Sequence, residues 1–169
     1  MKCHICKTEM ECKKEDYHYV ECGLPNIYLI DMEIFRCSCG EEIISIPMVP
    51  GLNAVIGKGL IVQKSHLSGA EIRFLRKNLG LTAKKFANYL GVDKSTFSRW
   101  ESGKQVPTKT HDRLVRVVYA GIKGVDGKIQ KKLIEVHFPK IDSKAKESET
   151  IKIRDWWTNK PDDFCMATL

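Results

Sequence analysis

The chain has 169 residues, 43% of them hydrophobic, and a formal net charge of +7. That length suits one domain or two small ones. No apolar run reaches the eighteen or so residues of a membrane span, and the opening MKCHIC lacks the apolar core of a signal peptide, so the expectation is a cytoplasmic protein with no membrane partner.

Taken in chain order, the first feature is the cysteine pattern. There are seven cysteines: two close pairs, Cys3/Cys6 and Cys37/Cys39, and three alone, Cys12, Cys22 and Cys165. Close pairs in a reducing compartment read as metal ligands rather than as disulfides. Cys3 and Cys6 have the spacing of a tight knuckle. Cys37 and Cys39 lie two apart, and in an extended strand such positions face the same side. Between the pairs, residues 17–20 alternate weakly, residues 27–35 are rich in β-formers, and residues 43–46 resume the pattern. Gly23 and the Pro25-Asn26 step mark turns. Residues 1–46 therefore read as a small β-rich domain with little core, closed by one structural Zn2+ ion on Cys3, Cys6, Cys37 and Cys39. Unliganded thiols or a redox pair remain the alternatives. Cys12, Cys22, His4 and His18 are the competing ligands if the short second pair cannot complete a tetrahedron.

Residues 47–67 read as a linker containing a helix over 51–62, with Pro50 at its start and Leu52, Val55, Ile56 and Leu60 on one side. Gly57 and Gly59 weaken that helix. Residues 68–123 then read as an all-helical domain. Ser68 and Glu71 have capping-box spacing, Ile72, Leu75 and Leu79 share a face, and Gly80 ends the helix. Thr82 caps a short helix carrying Phe86, Ala87 and Leu90, which Gly91 breaks. The next helix begins at Asp93. Its Phe97 and Trp100 face inward as core, leaving Lys94, Ser95, Thr96, Ser98 and Arg99 on an outer arc suited to a major groove. Glu101 to Lys104 close it, Pro107 stops it, and a fourth helix over 108–120 buries Leu114, Val117 and Val118.

Charge follows these divisions. Residues 1–46 hold five Lys/Arg and nine Asp/Glu, residues 47–123 fourteen and four, and residues 124–169 nine and eight. The basic surplus thus lies on the helical domain and suits a phosphate backbone. The acidic first segment would be repelled by DNA, which points to a basic protein as its partner. Residues 124–169 are a C-terminal extension: a helix over 127–137 with Ile129, Leu133 and Val136 inward, a polar linker over 139–149, a strand over 150–154, and Trp156-Trp157, expected to dock within a dimer.

The order Cys3-x-x-Cys6, GLPNIYL, Cys39-Gly-Glu-Glu and then SGAEIRFLRKNLGLTAKKFANYLGVDKSTFSRWESGK resembles the MqsA/YgiT-type zinc-finger/helix-turn-helix proteins over about residues 1–120. The second half is also similar to the wider XRE/Cro-like group. The resemblance implies an α+β chain: a zinc domain that contacts a toxin, joined to a homodimeric helix-turn-helix domain that represses its own operon. It places Zn2+ on the four paired cysteines and base reading on Ser95 and Arg99. Lys94 and Thr96 flank these two, and Thr82 and Lys104 fall where such domains meet phosphates. Three departures stand out. The second pair is Cys-x-Cys where the family usually has Cys-x-x-Cys, Ala83 replaces a frequent Gln, and residues 121–169 extend past the match. The expectation is an antitoxin and DNA-binding autorepressor; the alternative is a zinc-containing transcriptional regulator with no toxin. Five scattered histidines, no nucleophile grouping and no phosphate-binding glycine loop argue against an enzyme.

Overall fold

The computed structural model describes residues 1–137 and 150–157. The chain opens with three antiparallel strands, β1 (Glu11–His18), β2 (Ile27–Arg36) and β3 (Glu42–Ile44). β1 lines one edge of β2. The other edge is shared: β3 pairs with its C-terminal end, while β4 (Ile151–Ile153), from the far end of the chain, runs parallel to its N-terminal end. Six helices lie between: α1 (Val49–Val62), α2 (Gly69–Asn78), α3 (Ala83–Tyr89), α4 (Lys94–Glu101), α5 (Lys109–Lys123) and α6 (Gly127–His137). The architecture is α+β, a small sheet with its four paired cysteines gathered together, followed by helices.

β2 buries Ile27 and Leu29, then Met32 and Ile34, so its alternation slips by one residue at Asp31. Asp31 takes left-handed backbone (φ 56°), and its amide donates to Asp16 Oδ1 at 3.3 Å. From Glu15↔Met32 to Tyr17↔Leu29, β2 advances three residues while β1 advances two, which is a β-bulge. The strand expected over 17–20 instead begins at Glu11 and ends at His18. Its charged sequence hid it. The Lys14–Glu33 and Glu15–Arg36 pairs cross the ladder, so polar residues hold a strand that buries little.

In the helical part, Ser68, Thr82, Asp93 and Thr108 each accept a backbone amide hydrogen bond at the start of α2, α3, α4 and α5. Ser68 and Glu71 form the capping box that the spacing predicts. Phe86, Phe97 and Trp100 pack edge to face, with centroids 5.5 and 6.1 Å apart, and are core as expected. α1 contributes Leu52, Ile56, Leu60 and Ile61 to one core that runs from Tyr19 and Ile27 of the sheet through the helices to Trp156. Gly57, which weakened that helix on paper, is where Tyr119 of α5 lies against α1, and a Cβ there would collide with the phenol ring.

α5 is turned relative to expectation. Its buried residues are Asp112, Val115, Arg116, Tyr119 and Ala120. Val117 is 44% exposed, and Leu114 and Val118 are only half-buried. The physical reason is a buried charge cluster. Arg116 is fully enclosed. Its Nε donates to Asp112 Oδ2 at 2.8 Å, Nη1 to the carbonyls of Leu60 and Gln63 at 2.8 and 3.0 Å, and Nη2 to that of Ser65 at 2.7 Å. Nη1 also lies 3.1 Å from Nε2 of His137, the last residue of α6. Asp112 Oδ1 accepts from the Leu67 amide at 2.8 Å. One guanidinium thus satisfies orphan carbonyls at the end of α1 and in the loop after it, and meets the imidazole of His137 at the end of α6.

The extension folds back on its own chain. Leu133 and His137 of α6 are buried, whereas Val136 is half-buried. Ile151, Ile153 and Trp156 enter the main core, and Trp156 Nε1 donates to the Pro47 carbonyl at 3.0 Å. Trp156 thus docks on its own chain, where the Pro47 carbonyl supplies its polar partner, while Trp157 stays 39% exposed. The polar linker expected over 139–149 lies wholly outside the described residues.

Candidate metal centre and nucleic-acid face

Two backbone knuckles gather the paired cysteines. In the first, the Cys3 amide donates to Thr8 O at 2.9 Å and the Lys7 amide to Cys3 O at 3.0 Å, with Lys7 at φ 66°. A single antiparallel bridge, Lys2↔Glu9, closes it. In the second, the Cys37 amide donates to Glu41 O at 2.9 Å and the Gly40 amide to Cys37 O at 3.0 Å. Gly40 sits at φ 91°, a backbone conformation that a side chain would strain. The Cys37/Cys39 pair thus converges through the β2–β3 turn, not along an extended strand, which is how a one-residue gap still brings both sulfurs to one place.

The four Sγ atoms lie within 4.8 Å of one another, with Cys6–Cys37 at 3.3 Å and Cys3–Cys39 at 3.7 Å. A tetrahedral ion with Zn–S bonds of 2.3 Å needs S···S separations of about 3.8 Å. The donor set and its spacing therefore fit one metal ion with all four positions filled from the protein. The Thr8 hydroxyl and amide draw the Cys6 thiol down to about 6. The Glu41 amide also pulls on Cys39, but its sulfur neighbours Cys37 and Cys6 outweigh that and push it up to about 12. Met10, Phe35 and Ile43 pack beside Cys3 and Cys37 in a second small core.

The competing ligands lie elsewhere. Cys12 is exposed on β1, and the Cys22 thiol donates to Tyr19 O at 3.3 Å. His4 sits 3.3 Å from Glu41, and His18 stacks on Tyr28 with Nε2 2.7 Å from Pro25 O. Cys165 falls outside the described residues. The acidic surplus of residues 1–46 is partly spent within the fold: Glu11 pairs with Lys13, Glu33 with Lys14, Glu15 and Glu42 with Arg36, and Asp31 with Arg154.

In the helical part, Lys94, Ser95, Ser98 and Arg99 of α4 are exposed and Thr96 is half-buried. They form one arc opposite Phe97 and Trp100, which are buried. Arg99 Nη2 approaches Ser95 Oγ at 3.5 Å, so the two residues share one patch. Lys104 is exposed in the turn after α4, and Thr82 is exposed with its hydroxyl accepting the Lys85 amide at 3.3 Å. The Asp93 carboxyl, held below its usual range by the Ser95 side chain and amide, fixes the start of α4.

Residues that periodicity does not reveal hold the other end of that helix. Arg76 of α2 grips Glu101 through Nε and Nη2 at 2.7 and 3.2 Å, and its Nη1 donates to Leu81 O at 2.8 Å. Arg73 Nη2 donates to the Glu101 carbonyl at 3.1 Å. Their only sequence signal is charge on a helix whose other face is apolar, which usually means a solvated surface.

The chain belongs to the family described as the antitoxin component of the bacterial toxin-antitoxin system, MqsA, whose model matches residues 1–120. No curated protein matches the chain. No solved structure matches it either. No helix of the described residues is long and apolar enough to cross a membrane.

Proposed function

We propose that this member of the MqsA antitoxin family neutralises a basic toxin protein through residues 1–46 and represses its own operon through residues 68–123. The observation that carries the reading is a sheet whose four clustered cysteines could hold a metal ion, together with an exposed helix arc bearing Lys94 and Arg99, within the matched residues 1–120. The chain acts in the cytoplasm by binding alone. Its ion is zinc, one per chain, held by Cys3, Cys6, Cys37 and Cys39 in a structural role, since four thiolates leave no position for a substrate or water.

On this reading α3, the turn at Gly91 and α4 form a helix-turn-helix. Ser95 and Arg99 read base edges in the major groove, with Lys94, Thr96 and Ser98 beside them, while Thr82 and Lys104 meet phosphates. The net charge of +10 over residues 47–123 supports it. A homodimer is part of this reading. It would read half-sites about 34 Å apart. Arg99→Ala should lower operator affinity by roughly 5- to 150-fold, equivalent to about 1–3 kcal/mol of lost guanine recognition, and leave the fold intact. Lys104→Ala should weaken binding to all sequences alike and reduce its salt dependence. A footprint unchanged by Arg99→Ala at moderate salt would misplace the recognition helix.

For the toxin, β1 pairs only with β2 among the described strands, so its outer edge offers main-chain pairing to a partner strand. Because five of the nine acidic residues already face internal cations, that edge should contribute more than net charge does. The product of the adjacent reading frame should arrest growth when expressed alone, and co-expression of this chain should restore it. A harmless neighbour that does not bind this chain would leave the second reading, a zinc-containing transcriptional regulator with no toxin.

A further inference from the structure

The match to the family ends at residue 120, yet the described chain continues as α6 and β4. These two elements touch three separate places. α6 lies on α1 and α5, burying Leu133 and setting His137 Nε2 against the guanidinium of Arg116. β4 lies on the sheet: Ile151, Lys152 and Ile153 pair with Ile27, Tyr28 and Leu29, the Ile151 amide donates to Asn26 O at 3.0 Å, and Arg154 meets Asp31 at 2.7 Å. Trp156 lies on the joint between them, donating to the carbonyl of Pro47, one residue before Met48 takes left-handed backbone (φ 48°) to start α1.

Strands β1 to β3 are joined to the first helix by the short segment from Ile44 to Val49, between β3 and α1. A joint that short, with one residue in the left-handed region and few hydrogen bonds of its own, is a place where two units swivel. The extension is arranged to prevent this. One of its ends is fixed in the helical unit by a buried ionic cluster. The other is fixed in the sheet by a ladder, two buried isoleucines and an ion pair. The indole sits on the joint itself. Ile151, Ile153 and Trp156 are 7%, 5% and 8% exposed, so this end is a packed part of the core and not a loosely laid strand.

We infer that α6, β4 and Trp156 together strap the cysteine-bearing sheet to the helical unit as one rigid body, so that whatever binds the sheet is held at one fixed place relative to α4. The occupant of the N-terminal edge of β2 is the chain itself. That edge is closed to any partner unless β4 leaves, whereas the outer edge of β1 pairs with none of the described strands. The strap does not depend on the antitoxin reading, because it concerns how the two units sit and not what they bind.

The test is a distance distribution measured by pulsed electron resonance in the full-length metal-loaded protein. Nitroxide side chains would be introduced at Lys13 on β1 and Lys84 on α3, both exposed. The parent chain should give one narrow distance. Ile151→Asp combined with Trp156→Ala should give a broad one, with metal content unchanged and with the circular-dichroism signal of the helices retained. Trp156→Phe, which keeps one aromatic ring but loses the bond to Pro47 O and part of the buried bulk, should fall between them. A broad distribution in the parent chain would overturn the inference, and so would a narrow one that survives the double substitution. A double variant that loses its metal or its helices would show that the extension builds the units rather than joining them, and would equally overturn it.

Discussion

A strong chelator is expected to melt the N-terminal sheet before the helices, and to release β4 at the same moment. Residues 1–46 bury few large side chains beside the metal cluster, where only Met10, Phe35 and Ile43 back the cysteines. Metal binding to such a site is worth on the order of 10–16 kcal/mol, far more than so small a core supplies. Freshly reduced protein should carry about one zinc per chain. Hydrogen exchange after chelation should rise first in β1, β2 and β3, and in Ile151–Ile153 with them, while α2 to α5 stay protected. Cys37→Ser or Cys39→Ser should have the same effect without chelator. Absence of zinc would refute the assignment. Two zinc ions per chain would mean that Cys12, Cys22 or a histidine is recruited as well.

The second large effect concerns Arg116. Replacing it with Met leaves Asp112, which is 1% exposed, buried without its cation, and it orphans three carbonyls. The expected loss is about 3–5 kcal/mol of unfolding free energy. Chemical denaturation should show it, and Arg116→Met with Asp112→Leu should recover part of it. The same cluster makes stability depend on pH through His137. Burial, and then the charge of Arg116, push its pKa down to about 4. The unfolded chain titrates at about 6.5 and so binds the extra proton first as pH falls. The contribution is therefore complete above about pH 6.5, is lost progressively between there and pH 4, and amounts to about 2–3 kcal/mol. His137→Gln should flatten that slope. A wild-type stability that does not change between pH 7 and 4 would refute it.

These two predictions mark what could and could not be read from the chain. The cysteine cluster was legible because a metal site advertises itself through local spacing at both knuckles, although the reason given for the second pair, an extended strand, proved to be a turn. The helices and their caps were legible for the same reason: Ser68, Thr82 and Asp93 each sit next to the amides they satisfy. β1 was largely missed because its stabilising pairs, Lys14–Glu33 and Glu15–Arg36, lie on another strand. The orientation of α5 was missed because apolar periodicity assigns Val117 inward and Arg116 outward. The structure reverses both, since the partners of Arg116 come from Leu60, Gln63, Ser65 and His137, up to 56 residues away. Docking of Trp156 on Pro47 spans 109 residues and left no local trace.

The parallel pairing of β4 with β2 also sets an order of events at the ribosome. The four clustered cysteines and the knuckle that closes on Glu41 all precede the helices, so a metal site there could close while the helices are still being made. The strand that completes the sheet is synthesised more than a hundred residues after the strand it pairs with. At about 5–20 residues per second, the N-terminal edge of β2 stays open for several seconds on every nascent chain. An open edge is a template for pairing with another strand. Each newborn copy is therefore chemically different from its finished self, and a message cut short after residue 120 would keep the whole family-matched region while leaving that edge permanently unguarded.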